Sequence, residues 1–548
     1  MIELANIRIP VARAERGDEL DVIRREAAKL LGVRPGQLHD VELRHRAIDA
    51  RGGEVRLVCT VRCALADEQR VVARALRARR KPKLRILAPE EIEDGYAWPE
   101  PVVRDGSAPG GRPVVIGAGC AGLFCALALA HAGLEPLLVE RGDDATRRTR
   151  AVRHFEQTGE LDPESNVQFG LGGAGTFSDG KLATGTKSAA HRLILRALAQ
   201  AGAAGRILYD AKPHVGSDVL PVVVTELLAQ IQALGGEVRL RTRLSDLEVV
   251  GGALRSVTLT HEGAEERVAT QQLVLACGHS ARDVYDLLLA RHVAMERKAF
   301  AMGVRIEHPQ ALIDQAQYGR RAGSPVLGAA PYKLVEHLSN GRSCYSFCMC
   351  PGGYVMAAAS EPGGVVTNGM SLAARAGANA NAGLLVNVNP ADLPSDAVLA
   401  GVDLQRRCER AAFELGGGSY VAPAQLVGDF LQGVPSSAAG DVVPTYPRGV
   451  AFGTLEGCLP AYILEGMAEA IPRMNRRIAG YNLADAVLTG VESRSSSPVR
   501  VTRGPNLESV STRGLYPCGE GAGYAGGIMS AATDGLRVAE ALIATYRA

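Results

Sequence analysis

Aromatic residues are scarce in this chain. Phe, Trp and Tyr together make up 4% of 548 residues, with one tryptophan, Trp98. So thin a set offers no stacking platform for single-stranded nucleic acid. Net charge is also nearly absent: 61 Lys and Arg stand against 59 Asp and Glu, formally +2. The chain as a whole therefore carries no electrostatic footprint for a polyanion, and no nucleic acid partner is expected. No apolar run is long enough to span a bilayer. The longest, 114–140, is broken by glycines and a turn, so no membrane partner is expected either. The opening MIELANIRIPVARAERGDEL is charged and lacks the apolar core of a secretory signal. Eleven cysteines at irregular spacing build no disulfide framework. A reduced, cytoplasmic protein is the expectation. Cys344, Cys348 and Cys350, in C-x3-C-x-C spacing, match no common zinc or iron–sulfur pattern, so no metal is expected. On a strand, Cys348 and Cys350 would point the same way, so a strained disulfide is conceivable; the plain reading makes them small buried residues near a pocket.

What the chain does have is glycine, 63 residues, and 47% hydrophobic residues, enough for a large core in about two or three domains. The most informative stretch is VVIGAGCAGLFCALALAHAGLEPLLVE, Val114 to Glu140. An apolar strand runs into Gly117, Gly119 and Gly122, a helix follows, and a second apolar strand ends in an acid. This is a dinucleotide-binding βαβ unit. Gly117 permits the tight turn, Gly119 lets backbone approach a pyrophosphate, and Gly122 lets helix pack on strand. The helix N-terminus, with Cys120 and Ala121, faces the phosphates, and Glu140, followed by Arg141, is placed for a ribose hydroxyl.

Around this unit the pattern predicts strands over 3–11, 41–49 and 54–65 and a helix over 18–31. A basic run, Arg77 to Arg85, is either a contact for an anionic partner or a solvated linker, and 86–112 reads as linker. Helices are expected over 143–158 and 218–234, a strand over 237–244, a hairpin over 247–260 and one strand over 267–277 ending at Gly278. The loop NVQFGLGGAGTFSDGKL brings Gly172, Gly173, Ala174, Gly175, Thr176, Ser178, Asp179, Gly180 and Lys181 near a cofactor, since few side chains block its amides. The C-terminal GLYPCGEGAGYAGGIMSAATDGLRVAEAL gives a strand, a turn with Gly519 and Glu520, the pair Gly526-Gly527, and a helix from Ile528. A late strand–loop–helix of this kind closes over a flavin. Its N-terminus favours the anionic reduced ring by about 1 kcal/mol, which makes FAD the expected cofactor.

Seven motifs extend the argument: SNVQFGLGGAGTFSDGKL, KPHVGSD, LACGHSARDVYDLL, GVRIEHPQALIDQAQYG, YSFCMCPGGYV, APAQLVGDF and PCGEGAGYAGGIMSAATDG. Through them the whole chain resembles the bacterial and archaeal family known only as uncharacterised FAD-dependent dehydrogenases, NAD(P)/FAD-dependent oxidoreductases of the glutathione-reductase-type flavoprotein superfamily. The resemblance implies an α/β fold: a Rossmann-type, glutathione-reductase-like FAD-binding domain over 110–185, 217–285 and 505–548. An inserted mixed α+β substrate or cap domain would take 186–216 and 286–504. A small N-terminal α+β module plus linker would take 1–100. FAD contacts carry over to Gly117, Gly119, Gly122, Glu140, the 172–181 loop, Gly278, Gly519, Glu520 and Gly527. No substrate is implied.

For the chemistry, the candidates are Lys181, His214, His279 and Arg305. Lys181 with Asp179 either meets the cofactor or forms a surface ion pair. His214 and His279 either move protons or only bond backbone. Arg305 either holds a substrate carboxylate or lies on an exposed strand face. The expected function is hydride transfer between flavin N5 and a small or medium organic substrate. NADPH or NADH is open as a transient donor, since no second GxGxxG unit stands in a strand–helix context. Two other readings stay open: an RNA-modifying flavoprotein delivered by its N-terminal module, and a non-catalytic flavin redox or electron-transfer protein.

Overall fold

The computed structural model describes residues 1–77, 82–88, 91, 95–102 and 111–547. At its centre, five parallel strands lie in the order Leu515–Pro517, Leu273–Leu275, Val114–Ile116, Leu137–Val139 and Glu237–Arg239. The three inner strands and the C-terminal edge strand are wholly buried, as continuous Val/Leu/Ile runs demand of a parallel sheet covered on both faces. The helix Cys120–His131 buries ten of its residues and packs against the last helix, Ile528–Arg547. Contact is close because Gly535 has no Cβ; one would lie 2.2 Å from the Ala121 carbonyl oxygen.

A seven-stranded mixed sheet faces this unit, ordered Val335–His337, Ser343–Cys350, Asn379–Val388, Phe300–Pro309, Val487–Glu492, Ala422–Leu426 and Val450–Phe452. Its apolar core continues into the N-terminal sheet, where Ile2, Leu4, Val61 and Cys63 are fully buried. That sheet is antiparallel, ordered His39–Asp49, Arg56–Ala64, Ile2–Pro10 and Lys83–Ile86. It is tied to the covering part by Arg46, which bonds the Val326 carbonyl, and by Glu15, which accepts from Ser324.

Three expectations need correction. The strand expected over 237–244 is two, Glu237–Arg239 in the parallel sheet and Thr242–Val250 in a separate three-stranded one. The basic run is not all linker: its end, Lys83–Ile86, is a strand paired with Ile2–Ala5, while residues 78–81 lie outside the described residues. The strand expected over 267–277 is two, Ala264–Ala269 and Leu273–Leu275, in different sheets. Thr270 breaks it: its hydroxyl bonds the Arg112 carbonyl and receives the Gln272 amide. Among the described residues no helix is long and apolar enough to cross a membrane.

Candidate functional site

The glycines of the first turn divide by what surrounds them. Gly117, at φ +98°, has no room for a side chain: a Cβ would lie 2.5 Å from the Ala276 carbonyl oxygen. Gly122 is tighter still, 1.8 Å from the Gly117 oxygen. Gly119 caps the helix Cys120–His131 at φ −77°, and a Cβ there would find only Gly173 Cα at 3.7 Å. It faces a cleft of about 1650 Å³, open mouth included. No side chain caps this helix, so its first amides are presented to the cleft.

Glu140 ties the turn together. Its carboxylate accepts from the amides of Ala118 (2.8 Å), Gly142 (2.9 Å) and Gly170 (2.9 Å), which draws the glycine loop over the turn. The Gly172 amide bonds the Ala118 carbonyl at 2.8 Å. Arg141, paired with Glu164 and Asp283, lies over the Phe169 ring. From the far side the helix Ile528–Arg547 brings its N-terminus to the same cleft, beside Glu520.

Of the residues expected at the cofactor, Gly117, Gly119, Cys120, Ala121, Glu140, Arg141, the 172–175 loop, Ser178, Asp179, Lys181, Gly278, Glu520, Gly527 and Ile528 line the cleft. Five do not. Gly122 presses on the strand, and Thr176 bonds the Leu171 carbonyl beneath the loop. Gly180 abuts Gly216, Gly519 donates its amide to Asp534 at 2.8 Å, and Gly526 donates to Ser530 at 3.0 Å.

The four candidates for chemistry separate similarly. Lys181 lines the cleft, its Nζ 3.2 Å from the carboxylate of Asp179. That is no surface pair: Asp179 is fully buried and also bonded by Arg375. His279 lines the cleft, with Nε2 3.9 Å from Glu520 and a buried Nδ1 that has no partner among the described residues. His214 lies outside it; its Nε2 donates to the Ala373 carbonyl at 3.1 Å. Arg305 is fully buried and committed elsewhere, to Glu492 (3.0 Å), Asn368 (3.1 Å), Asn381 (3.2 Å) and the Cys348 carbonyl (3.0 Å). With both terminal nitrogens bonded twice and Nε turned to the Glu492 carboxylate, it cannot clamp a substrate carboxylate. Sequence reasoning missed Asn368, Glu492 and Arg494, which the covering part adds to the cleft wall.

Burial dominates the electrostatics. It pushes the carboxyls of Glu492 and Glu520 up to about 7, against the pull of Arg305 on the first and the Gly527 amide on the second. It pushes His279 down to about 3, with Arg494 and Arg282 adding to the effect, and His214 and His308 down to about 4. The signs oppose. The histidines' stabilisation is present above their usual 6.5 and lost as pH falls through 4 to 3. That of the two acids is full below their usual 4.5 and lost as pH rises through about 7. In urea unfolding of the FAD-free protein, Glu520→Gln should remove about one proton from the slope of stability against pH between about 4.5 and 7. His308→Phe should remove about one between about 6.5 and 4. Unchanged slopes would contradict these assignments.

The residues fit FAD: a glycine cradle, two helix N-termini and an acid at each end of one cleft. Comparison with known proteins decides the family. A protein of Clostridium beijerinckii described as uncharacterised is 43% identical over 544 residues, 98% of this chain and 99% of its own length. Residues 299–495 match the family model "FAD-dependent protein, C-terminal domain-like", and 111–290 match "Pyridine nucleotide-disulphide oxidoreductase". The chain belongs to this uncharacterised family of FAD-dependent proteins. It is an FAD-dependent oxidoreductase with a Rossmann-like FAD-binding fold. Residues 1–64 match a domain of unknown function. Among solved structures, a flavin-dependent brominase is similar at 13% identity and TM-score 0.35, over 79% of this chain and 79% of that one. A geranylgeranyl bacteriochlorophyll reductase-like protein of Thermoplasma acidophilum is similar at 12% identity and TM-score 0.34, over 80% and 78%. Likeness this slight says nothing of what the family acts on.

Proposed function

We propose that this oxidoreductase transfers a hydride between flavin N5 and a small or medium organic substrate, with NADH or NADPH as a transient donor. The observation that carries the reading is a polar set in the same cleft as the dinucleotide cradle: Lys181, Asn368, Glu492 and Arg494. FAD, when bound, supplies the hydride chemistry. The chain's own groups must orient the substrate and manage its proton. Lys181 suits the second task, being a cation held in place by Asp179 at 3.2 Å and open to the cleft. Charge developing on a substrate oxygen or nitrogen would meet that ammonium without reorganisation. Asn368, fixed by its bond to Arg305, offers a rigid amide in the same cleft.

The test is anaerobic titration of the flavoprotein with NADH and NADPH, read at the flavin band near roughly 450 nm. One nucleotide should bleach it, and an electron-poor acceptor such as an enone or quinone should restore it. Lys181→Met should keep bound FAD and slow the restoring step by about 10²-fold or more. Flavin inert to both nucleotides and, once reduced, to such acceptors would sink the reading.

A further inference from the structure

The strand Ser343–Cys350 does not keep its alternation. Its pairing with Asn379–Val388 shifts register between Phe347 and Cys350, and Cys348 sits in the bulge at φ +40°. A left-handed cysteine is uncommon and is held by the rest of the fold: Arg305 donates to the Cys348 carbonyl at 3.0 Å. The bend folds Cys350 back on its neighbour, with Sγ 3.1 Å from that same carbonyl. The two cysteines are therefore unequal. Cys348 is partly exposed and lines the flavin cleft, together with Gly527 and Ile528 of the helix N-terminus. Cys350 is fully buried behind it, with Lys181 Nζ 4.0 Å from its sulfur. An accessible thiol backed by a buried one and a cation is the arrangement that thiol–disulfide chemistry needs.

We propose that Cys348 and Cys350 are a redox pair that cycles between dithiol and disulfide in the flavin cleft. Its substrate class is a small thiol or disulfide that reaches Cys348 through the cleft. The Cys350 thiol beside it holds the Cys348 thiol well below its ordinary range; burial opposes this, and Lys181 and Arg305 assist it, which favours the thiolate at Cys348. The hydrogen bond with Cys348, and then burial, push the Cys350 thiol well above its ordinary range. In the oxidative direction one Sγ–Sγ bond forms and the Cys350 S–H bond breaks. The two sulfurs lose an electron pair, and oxidised FAD takes up that pair with the proton. The reverse opens the disulfide at the expense of reduced flavin. Neither cysteine lies in the segment 111–290 that matches the pyridine nucleotide-disulphide oxidoreductase model.

The inference rests on FAD in the cleft and not on the organic substrate proposed above. Two readouts on the FAD-loaded full chain test it. After oxidation with a disulfide reagent, the peptide carrying both cysteines should be about 2 Da lighter and resist alkylation until reduced. In anaerobic dithionite titration the oxidised protein should take up about four reducing equivalents per bound flavin, and Cys348→Ser and Cys350→Ser about two. Wild type consuming about two, with both thiols still alkylated after oxidation, overturns the proposal. So does a serine variant that still consumes about four. Protein without a flavin band would overturn the cofactor reading instead, and the peptide mass would still report on the pair alone.

Discussion

Replacing Gly119 by leucine is expected to weaken FAD binding by about 10³-fold or more while the protein stays folded. The other two glycines of the motif cannot give this result. A Cβ at Gly117 meets backbone at 2.5 Å on a residue already at φ +98°, and one at Gly122 meets a carbonyl oxygen at 1.8 Å, so either substitution displaces the strand from its helix. Gly119 has an ordinary φ of −77° and open space where a side chain would go. Leucine there costs the fold only the weaker N-cap preference, about 1 kcal/mol. It also fills the volume through which a pyrophosphate reaches the helix amides. Losing those charge-assisted bonds at about 1.5–3 kcal/mol each gives the stated factor. Flavin retained after desalting, read by absorbance beside a thermal melt, is the measurement. A folded leucine variant that keeps stoichiometric flavin would remove the cradle from the site.

The same contrast explains what was legible in the sequence. Gly117, Gly122 and the apolar strands on either side are local requirements: a tight turn and a close helix must be spelled in adjacent residues. So must the glycine loop and the C-terminal helix. Arg305 was not legible in the same way. Its partner Glu492 is 187 residues away, and neither residue advertises the other. An arginine in a strand suggests a solvent face, but FAMGVRIEHP is a central strand buried on both faces. Cys348 misled for a related reason. Period-two alternation holds only along a regular ladder, and here a bulge fixed by that buried arginine turns the thiol toward the cleft. Glu492, Arg494 and Asn368 reach the cleft only after the covering sheet closes, so no local pattern marks them. Lys83–Ile86 became a strand because its partner is the first strand of the chain.

Removing the charge of Glu409 should cost about 3–5 kcal/mol of stability. Glu409 comes from the helix Ala400–Leu415 of the covering part. Its carboxylate takes both arms of Arg282, at 2.9 and 2.8 Å, from the helix that follows Gly278 in the nucleotide-binding part. It also takes two bonds from Arg494, at 2.9 and 2.8 Å, and one from Ser493 at 2.6 Å. Burial opposes the charge, yet the two guanidiniums hold the carboxyl far below its usual range. Glu409→Gln keeps the shape but leaves two buried cations facing one another, with Glu361 as the remaining acid within reach. The cost is that of orphaned charge. It need not equal any stability the clamp adds over an apolar core, since replacing all three residues by apolar ones of similar volume can be neutral. What the clamp does supply is register between the two parts, because Arg494 also lines the cleft. The glutamine variant should therefore lose FAD affinity along with urea resistance. Glu248→Gln, which breaks the exposed pair with Arg267, is the control and should cost at most about 1 kcal/mol. Equal costs for the two would show that the buried cluster is no clamp, whatever its geometry.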